Sequence, residues 1–238
     1  MLETRGNRIT YFGHSTFSLT TSSGQVALID PWVMTNPACP APLKKSMPRL
    51  DVIFLTHAHT DHMGDLLALA KQHRPKIVAI FETCLWIERK GFVEETCPMG
   101  KGGSQKVSEF EVTMTHAFHS NSIDENGVKH YGGEPAGYVV RMPGGFSLYH
   151  AGDTAVFGDM KLIGELYKPD LALLPIGDRF TMGPREAAYA IRLLGVKHVV
   201  PMHYATFPFL TGTVEELRKE TKKIKGLTLH ALKPGESL

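Results

Sequence analysis

Cysteine is scarce in this chain. Cys39, Cys84 and Cys97 are the whole complement, widely spaced and without a Cys-x-x-Cys pair. An odd set so placed argues against a disulfide framework and reads as reduced thiols of a cytoplasmic protein. Long apolar runs are missing as well. No stretch nears the roughly 20 residues that span a bilayer, and Met1 to Arg8 lacks the apolar core of a signal peptide. Neither sign of charge dominates: 26 Lys and Arg face 24 Asp and Glu, for a net charge of +2. That balance demands no nucleic-acid or membrane partner. No repeat, low-complexity tract or flexible linker divides the 238 residues, so they read as one domain, 1–238. With 42% hydrophobic and 21% charged residues the composition is that of an ordinary globular protein.

Histidine is the residue in excess, at 12. The stretch Thr56-His57-Ala58-His59-Thr60-Asp61-His62 places three imidazoles and a carboxylate close together, a metal-ligand spacing. The apolar run Val52-Ile53-Phe54-Leu55 before it reads as a buried strand. The segment from Met63 to Ala70 reads as a helix start. The cluster therefore sits at the C-terminal mouth of a strand, where open α/β sheets place ligand sites. Neutral imidazole and carboxylate suit divalent zinc, iron, manganese or nickel.

Around this stretch the chain alternates strand and helix patterns. Ile9–Phe12, Thr16–Thr20 and Gln25–Ile29 read as short strands, the last stopped by Pro31. Trp32 to Arg49, with Pro37, Pro40, Pro42 and Pro48, reads as a long stiffened loop. Further strands are expected at Lys76–Phe81, Lys106–Met114, Gly137–Met142, Phe146–His150, Asp170–Leu174, Lys197–Pro201 and Leu227–Leu232. Helices are expected at Glu82–Lys90, Phe157–Tyr167, Pro184–Leu194 and Thr213–Lys223. Ser120–Pro135 reads as a second polar loop of an active site. This order predicts two sheets packed face to face with helices outside.

The His57–His62 string resembles the His-x-His-x-Asp-His motif of the metallo-β-lactamase fold superfamily. The resemblance implies an α/β (α+β) fold, the four-layer αββα sandwich of that family, with two divalent metal ions at one edge between the sheets. Zinc comes first as their identity; manganese, nickel or iron would also suit. His57 and His59 match ligands of one ion, and Asp61 and His62 ligands of the other. The family's lone histidine falls in His116-Ala117-Phe118-His119-Ser120. His119 is chosen because Ser120 continues the family's His-Ser pattern, with His116 as the alternative. Gly152-Asp153-Thr154 resembles the context of the bridging aspartate, and Met202-His203 supplies the last histidine. Asp30 resembles a carboxylate that orients the metal loop without ligating.

Tyr11-Phe12-Gly13-His14-Ser15-Thr16, Asp30-Pro31 with Asn36-Pro37, and Pro175 to Pro184 narrow the likeness. They resemble a branch of small metal-dependent hydrolases related to ascorbate-6-phosphate lactonase. His14 is then either a catalytic pocket residue near the metals or a histidine bonded in a turn. Asp178 either orients a ligand histidine or caps its loop. Arg179 either meets an anionic substrate group or is a surface arginine. The implied activity is hydrolysis of an ester, lactone or related small-molecule bond by a metal-bridged hydroxide, with Asp61 also accepting a proton. Alternatives are a phosphodiesterase or nuclease of the same fold and a non-catalytic metal-dependent binding or sensor protein. The expected partner is a small-molecule substrate, with a homo-oligomer left open.

If Asp153 belongs to the ligand set, Asp153→Ala will lower the metal content of the purified protein and abolish turnover. Normal metal content in that variant, measured by elemental analysis, would remove Asp153 from the set.

Overall fold

Runs of Val, Ile, Leu and Phe that are apolar on both faces need cover on both sides, and the chain supplies it with two sheets and flanking helices. The structure, a computed structural model, describes residues 2–45, 47 and 49–238. Met1, Ser46 and Pro48 lie outside the described residues, so the readings of the N-terminal stretch and of the stiffened loop are followed only around them.

In chain order, β1 (Arg8–Gly13), β2 (Thr16–Thr20) and β3 (Val26–Ile29) form an antiparallel meander. A short helix, α1 (Ala41–Lys45), interrupts what the sequence presents as a continuous loop. The strand β4 (Val52–Phe54) leads through the one-turn α2 (Thr60–Met63) into α3 (Leu66–His73). Then come β5 (Lys76–Ile80), α4 (Phe81–Arg89) and β6 (Thr96–Met99). These six strands make one sheet in sequential order, parallel from β3 to β6.

The second half holds β7 (Ser104–Val107), β8 (Phe110–His116), β9 (Ser122–Glu125), β10 (Val128–Tyr131), β11 (Ala136–Arg141) and β12 (Ser147–His150). It continues with α5 (Met160–Tyr167), β13 (Leu171–Pro175), α6 (Pro184–Leu194), β14 (His198–Met202), α7 (Val214–Thr221) and β15 (Thr228–Leu229). Seven of these strands form the second sheet, in the order β15-β14-β13-β12-β11-β8-β7.

The cores show the four layers. Phe17, Phe54 and Val78 of the first sheet pack in one buried cluster with Phe110, Tyr138 and Leu148 of the second. Phe54 and Phe110 meet edge to face across this interface, with ring centroids 5.7 Å apart. A second cluster joins the outer face of the β11–β14 region to α5, α6 and α7, and a third joins the outer face of the first sheet to α3 and α4. The order helix, sheet, sheet, helix is the αββα sandwich the sequence predicts.

Several local expectations change. The single strand read over Lys106–Met114 is two, β7 and β8, because Ser108 turns left-handed (φ 57°) and Val107 pairs with Phe110. The polar stretch Ser120–Pro135 is mostly a β9–β10 hairpin that pairs with neither large sheet. The strand β6 carries no hydrophobic alternation and has no counterpart in the sequence reading. The last strand shrinks to Thr228–Leu229. Residues 235–238 run along β1, where Ile9 and Leu238 exchange backbone N–H···O bonds of 3.1 and 2.9 Å.

The contact of α5 with α6 is close enough to test. A Cβ added at Gly164 would lie 2.1 Å from the Leu194 carbonyl oxygen. Gly164→Ala should therefore destabilise the fold by about 1–3 kcal/mol, read as a lower midpoint of denaturant unfolding. An unchanged midpoint would show that the helices separate at no cost.

Candidate metal centre

The metal loop leaves β4 with its backbone already tied down. Asp30, at the end of β3 and fully buried, accepts the Thr56 N–H at Oδ1 (2.8 Å). Its Oδ2 accepts the Thr56 hydroxyl (2.8 Å) and His62 Nδ1 (2.7 Å). With its proton given to Asp30, the Thr56 hydroxyl accepts from His57 Nδ1 at 3.0 Å. These bonds fix protons on Nδ1 of both His57 and His62 and turn each Nε2 inward. Asp30 thus orients two imidazoles at once.

Opposite them, the ends of β8, β12 and β14 bring in His119, Asp153 and His203. Asp153 Oδ2 is the hub: it lies 2.9 Å from His203 Nε2, 3.3 Å from His62 Nε2, 3.7 Å from His119 Nε2 and 4.0 Å from His57 Nε2. Asp61 Oδ2 lies 3.8 Å from His203 Nε2 and 3.9 Å from His62 Nε2. Donor atoms of His57, His59 and His119 lie within 4.8 Å of one another, as do those of Asp61, His62 and His203 with His14. His57, His62 and Asp153 form a third such set between the two. The structure brings together all seven residues that the sequence proposes as metal ligands.

This donor set fits divalent cations on grounds of its own. His62 Nε2, Asp153 Oδ1 and both ring nitrogens of His203 are buried without a hydrogen-bond partner among the described residues, an expensive condition for polar atoms. His57 Nε2 and His59 Nδ1 face each other at 3.0 Å. Two carboxylates, Asp61 and Asp153, converge here among imidazoles. Backbone strain is gathered here too: His14, Asp30 and His203 are all left-handed, at φ 57°, 52° and 55°. Such conformations cost about 1 kcal/mol or more each and cluster at functional sites.

Electrostatics keep three of the imidazoles, His57, His59 and His119, ready to donate. Burial, with histidine neighbours, holds His57 well below the usual imidazole range and His59 down at about 4. Burial likewise lowers His119. These rings are therefore neutral at pH 7, the form that binds metal. For His62 burial also pushes down, but Asp153, Asp30 and Asp61 outweigh it and raise the ring well above its ordinary value. Burial would raise Asp153 and Asp61, yet the surrounding imidazoles win and hold both carboxyls low.

His14 is not on the cavity surface. Its ring is wholly buried beneath Trp32 and Phe207, with Nε2 3.0 Å from Asp61 Oδ2 and Nδ1 2.9 Å from Thr206 Oγ1. Burial is the first cause that brings it down to about 4. The expectation of a pocket residue thus becomes a residue that backs Asp61. His116 turns away to Lys101 Nζ (2.9 Å), and His198 pairs with His230 at the far end of β14. Asp178 accepts the Arg179 N–H in its own loop. The Arg179 guanidinium lies over Phe180 and Phe209. A cavity of about 450 Å³ opens above the metal-ligand cluster, with His59, Asp61 and His119 at its floor, Phe180 on one wall and Ser122 and Lys129 of the β9–β10 hairpin on the other.

Sequence reasoning passed over three groups that hold this centre. His150 donates to the Ser15 carbonyl and accepts the Gly152 N–H, setting the turn before Asp153. The Thr154 hydroxyl accepts the Phe118 N–H beside His119. Asn121 joins two loops. Thr154 stands in the Gly152-Asp153-Thr154 string and His150 ends the strand before it, but no spacing marks Asn121.

Comparison with known proteins gives concordant matches. The family described as "Beta-lactamase superfamily domain" matches residues 26–204. A protein of Rubrobacter xylanophilus named UPF0173 metal-dependent hydrolase is 54% identical over 98% of this chain and 96% of its own. Igni18, a metallo hydrolase of the archaeon Ignicoccus hospitalis, has a solved structure with a TM-score of 0.86 and 35% identity, covering 98% of this chain and 97% of that one. The metallo-beta-lactamase fold protein YhfI of Bacillus subtilis, at 16% identity and a TM-score of 0.74, shares the fold.

The placement of His203 rests on a close backbone approach. A Cβ on Gly177 would meet the His203 carbonyl oxygen at 2.0 Å. Gly177→Ala should move His203 and weaken metal binding about tenfold or more, measured by competition with a chelator. Wild-type affinity in a folded variant would show that His203 is not held this way.

Proposed function

The chain belongs to the metallo-β-lactamase superfamily and is a metal-dependent hydrolase; from that premise we propose that it cleaves an ester, lactone or related bond of a small molecule with two divalent ions. The observation that carries this reading is the pair of donor sets beneath one cavity. His57, His59 and His119 would hold one ion; Asp61, His62 and His203 would hold the other. Asp153 stands between the sets. When bound, such ions supply Lewis acidity to the target oxygen and lower the pKa of an attacking water.

The remaining work falls to the protein. Asp61 and His203 of the second set both line the cavity, and Asp61 is the more open of the two, its side chain 32% exposed against 2%. Its carboxylate is ionised, and its open side faces the cavity, where it would meet the proton that the attacking water gives up. His14 Nε2–H donates to Asp61 Oδ2 and keeps that oxygen aimed at the cluster, while Thr206 fixes the far side of the ring. Phe180 offers an apolar wall, and the hydroxyls of Ser120 and Ser122 offer polar contacts to a substrate of modest size. The lactone in the proposal rests on the motif likeness to ascorbate-6-phosphate lactonase. Zinc ranks first for a nitrogen-rich set with carboxylates. The free cysteines Cys39, Cys84 and Cys97 support residence in the cytoplasm.

A panel of esters, lactones and phosphodiesters, assayed before and after chelation and after return of zinc or manganese, tests the reading. Activity on esters or lactones that disappears with the metal and returns with it is expected. Full activity after complete metal removal would refute the mechanism. Stoichiometric metal with no turnover across the panel would favour a binding or sensor protein, and turnover of phosphodiesters alone would favour the phosphodiesterase reading.

A further inference from the structure

The β9–β10 hairpin forms one wall of the cavity but pairs with neither large sheet. An isolated two-stranded hairpin is marginal in water, and every residue of β10 is exposed. Its position therefore comes from contacts outside its own ladder: Trp86 and Lys90 of α4 hold Glu125 near the tip, Ile123 is buried, and further anchors lie at the base. Asn121, just before β9, donates from Nδ2 to the carbonyl of Gly132, just after β10, at 2.8 Å. That bond closes the hairpin. Packing there is close: a Cβ on Gly132 would lie 2.9 Å from Asn121 Oδ1. The Thr83 hydroxyl of α4 reaches the same carbonyl at 2.6 Å.

The other end of the same amide does something different. Asn121 Oδ1 accepts the N–H of Ala58 at 2.8 Å. Ala58 lies between His57 and His59, and Asn121 lies two residues after His119. One buried side chain thus spans the two chain segments that carry the first donor set, and also closes the wall above it.

We propose that Asn121 is a positioning residue that sets the mutual placement of His57, His59 and His119 and, through Gly132, ties the substrate wall to that donor set. The proposal rests on the metal reading above. Its two arms are separable because the acceptor serves Ala58 and the donor serves Gly132. An aspartate at 121 keeps the acceptor and loses the donor. An alanine loses both. Thr83→Ala loosens only the hairpin base and leaves Ala58 bound.

The test titrates the full chain with zinc against a competing chelator, and with cobalt, whose visible absorption reports ligand geometry. Proteolysis at the 125–128 turn reports the hairpin. Asn121→Ala should bind metal about tenfold or more weakly at its first site, with altered cobalt bands and faster cleavage of the turn. Asn121→Asp should keep metal and cobalt bands near wild type yet be cleaved faster. Thr83→Ala should keep wild-type metal binding. An Asn121→Ala protein with wild-type affinity and bands would overturn the proposal while leaving the hydrolase reading intact. Should that variant fail to fold, Asn121→Asp decides: loss of metal there would overturn it. A wild-type chain that takes up no divalent ion would sink the metal reading itself.

Discussion

The Asp30 carboxylate is the contact on which the rest of the centre depends. Fully buried at the end of β3, it meets an N–H and a hydroxyl of Thr56 and the ring of His62. A carboxylate in that position would be costly without donors on both oxygens. It has them, and they do more than satisfy it. Through Thr56 they turn His57, and directly they turn His62, so that both present Nε2 to the same space. The left-handed φ of Asp30 places the carboxylate beneath the loop instead of along the strand. The metal loop of β4 is therefore oriented from the neighbouring strand, across the parallel pairing of β3 with β4.

Much of this was readable in advance because the ligands sit in strings whose spacing has chemical meaning. His57 to His62 alternate and then turn into a helix; Gly152-Asp153-Thr154 and Met202-His203 each follow an apolar strand. The two-sheet architecture could be read from the apolar runs that end in those strings. What escaped the reading was set by contacts between distant segments or by single φ angles. Nothing about Ser108 as a residue type announces a left-handed turn, so β7 and β8 read as one strand. The β9–β10 hairpin is polar because it is exposed on most sides, and polarity alone suggests a loop. Asn121 is invisible for a different reason: its partners, Ala58 and Gly132, lie 63 and 11 residues away. His14 was visible as a histidine in a turn, but only the structure shows that it faces Asp61 from behind.

The cavity divides its labour between rigid and appended parts. Its floor consists of side chains carried by the ends of sheet strands, half-buried where they face the cavity. Its walls are a loop carrying Phe180, where both Asp178 and Arg179 adopt left-handed backbone, and a hairpin outside both sheets. The walls can therefore change in sequence without disturbing the floor, apart from the few groups that touch both. A shared chemistry with variable substrate choice is what such a division allows.

The segment of residues 235–238 laid along β1 has a consequence for the molecule's behaviour in a crowded solution. It occupies the backbone donors and acceptors of Ile9 and Tyr11 that an edge strand would otherwise present. At the opposite edge of that sheet, β6 carries Pro98, which lacks an N–H. One margin is thus sealed and the other interrupted, so this sheet has no smooth template on which neighbouring molecules could stack into fibrils.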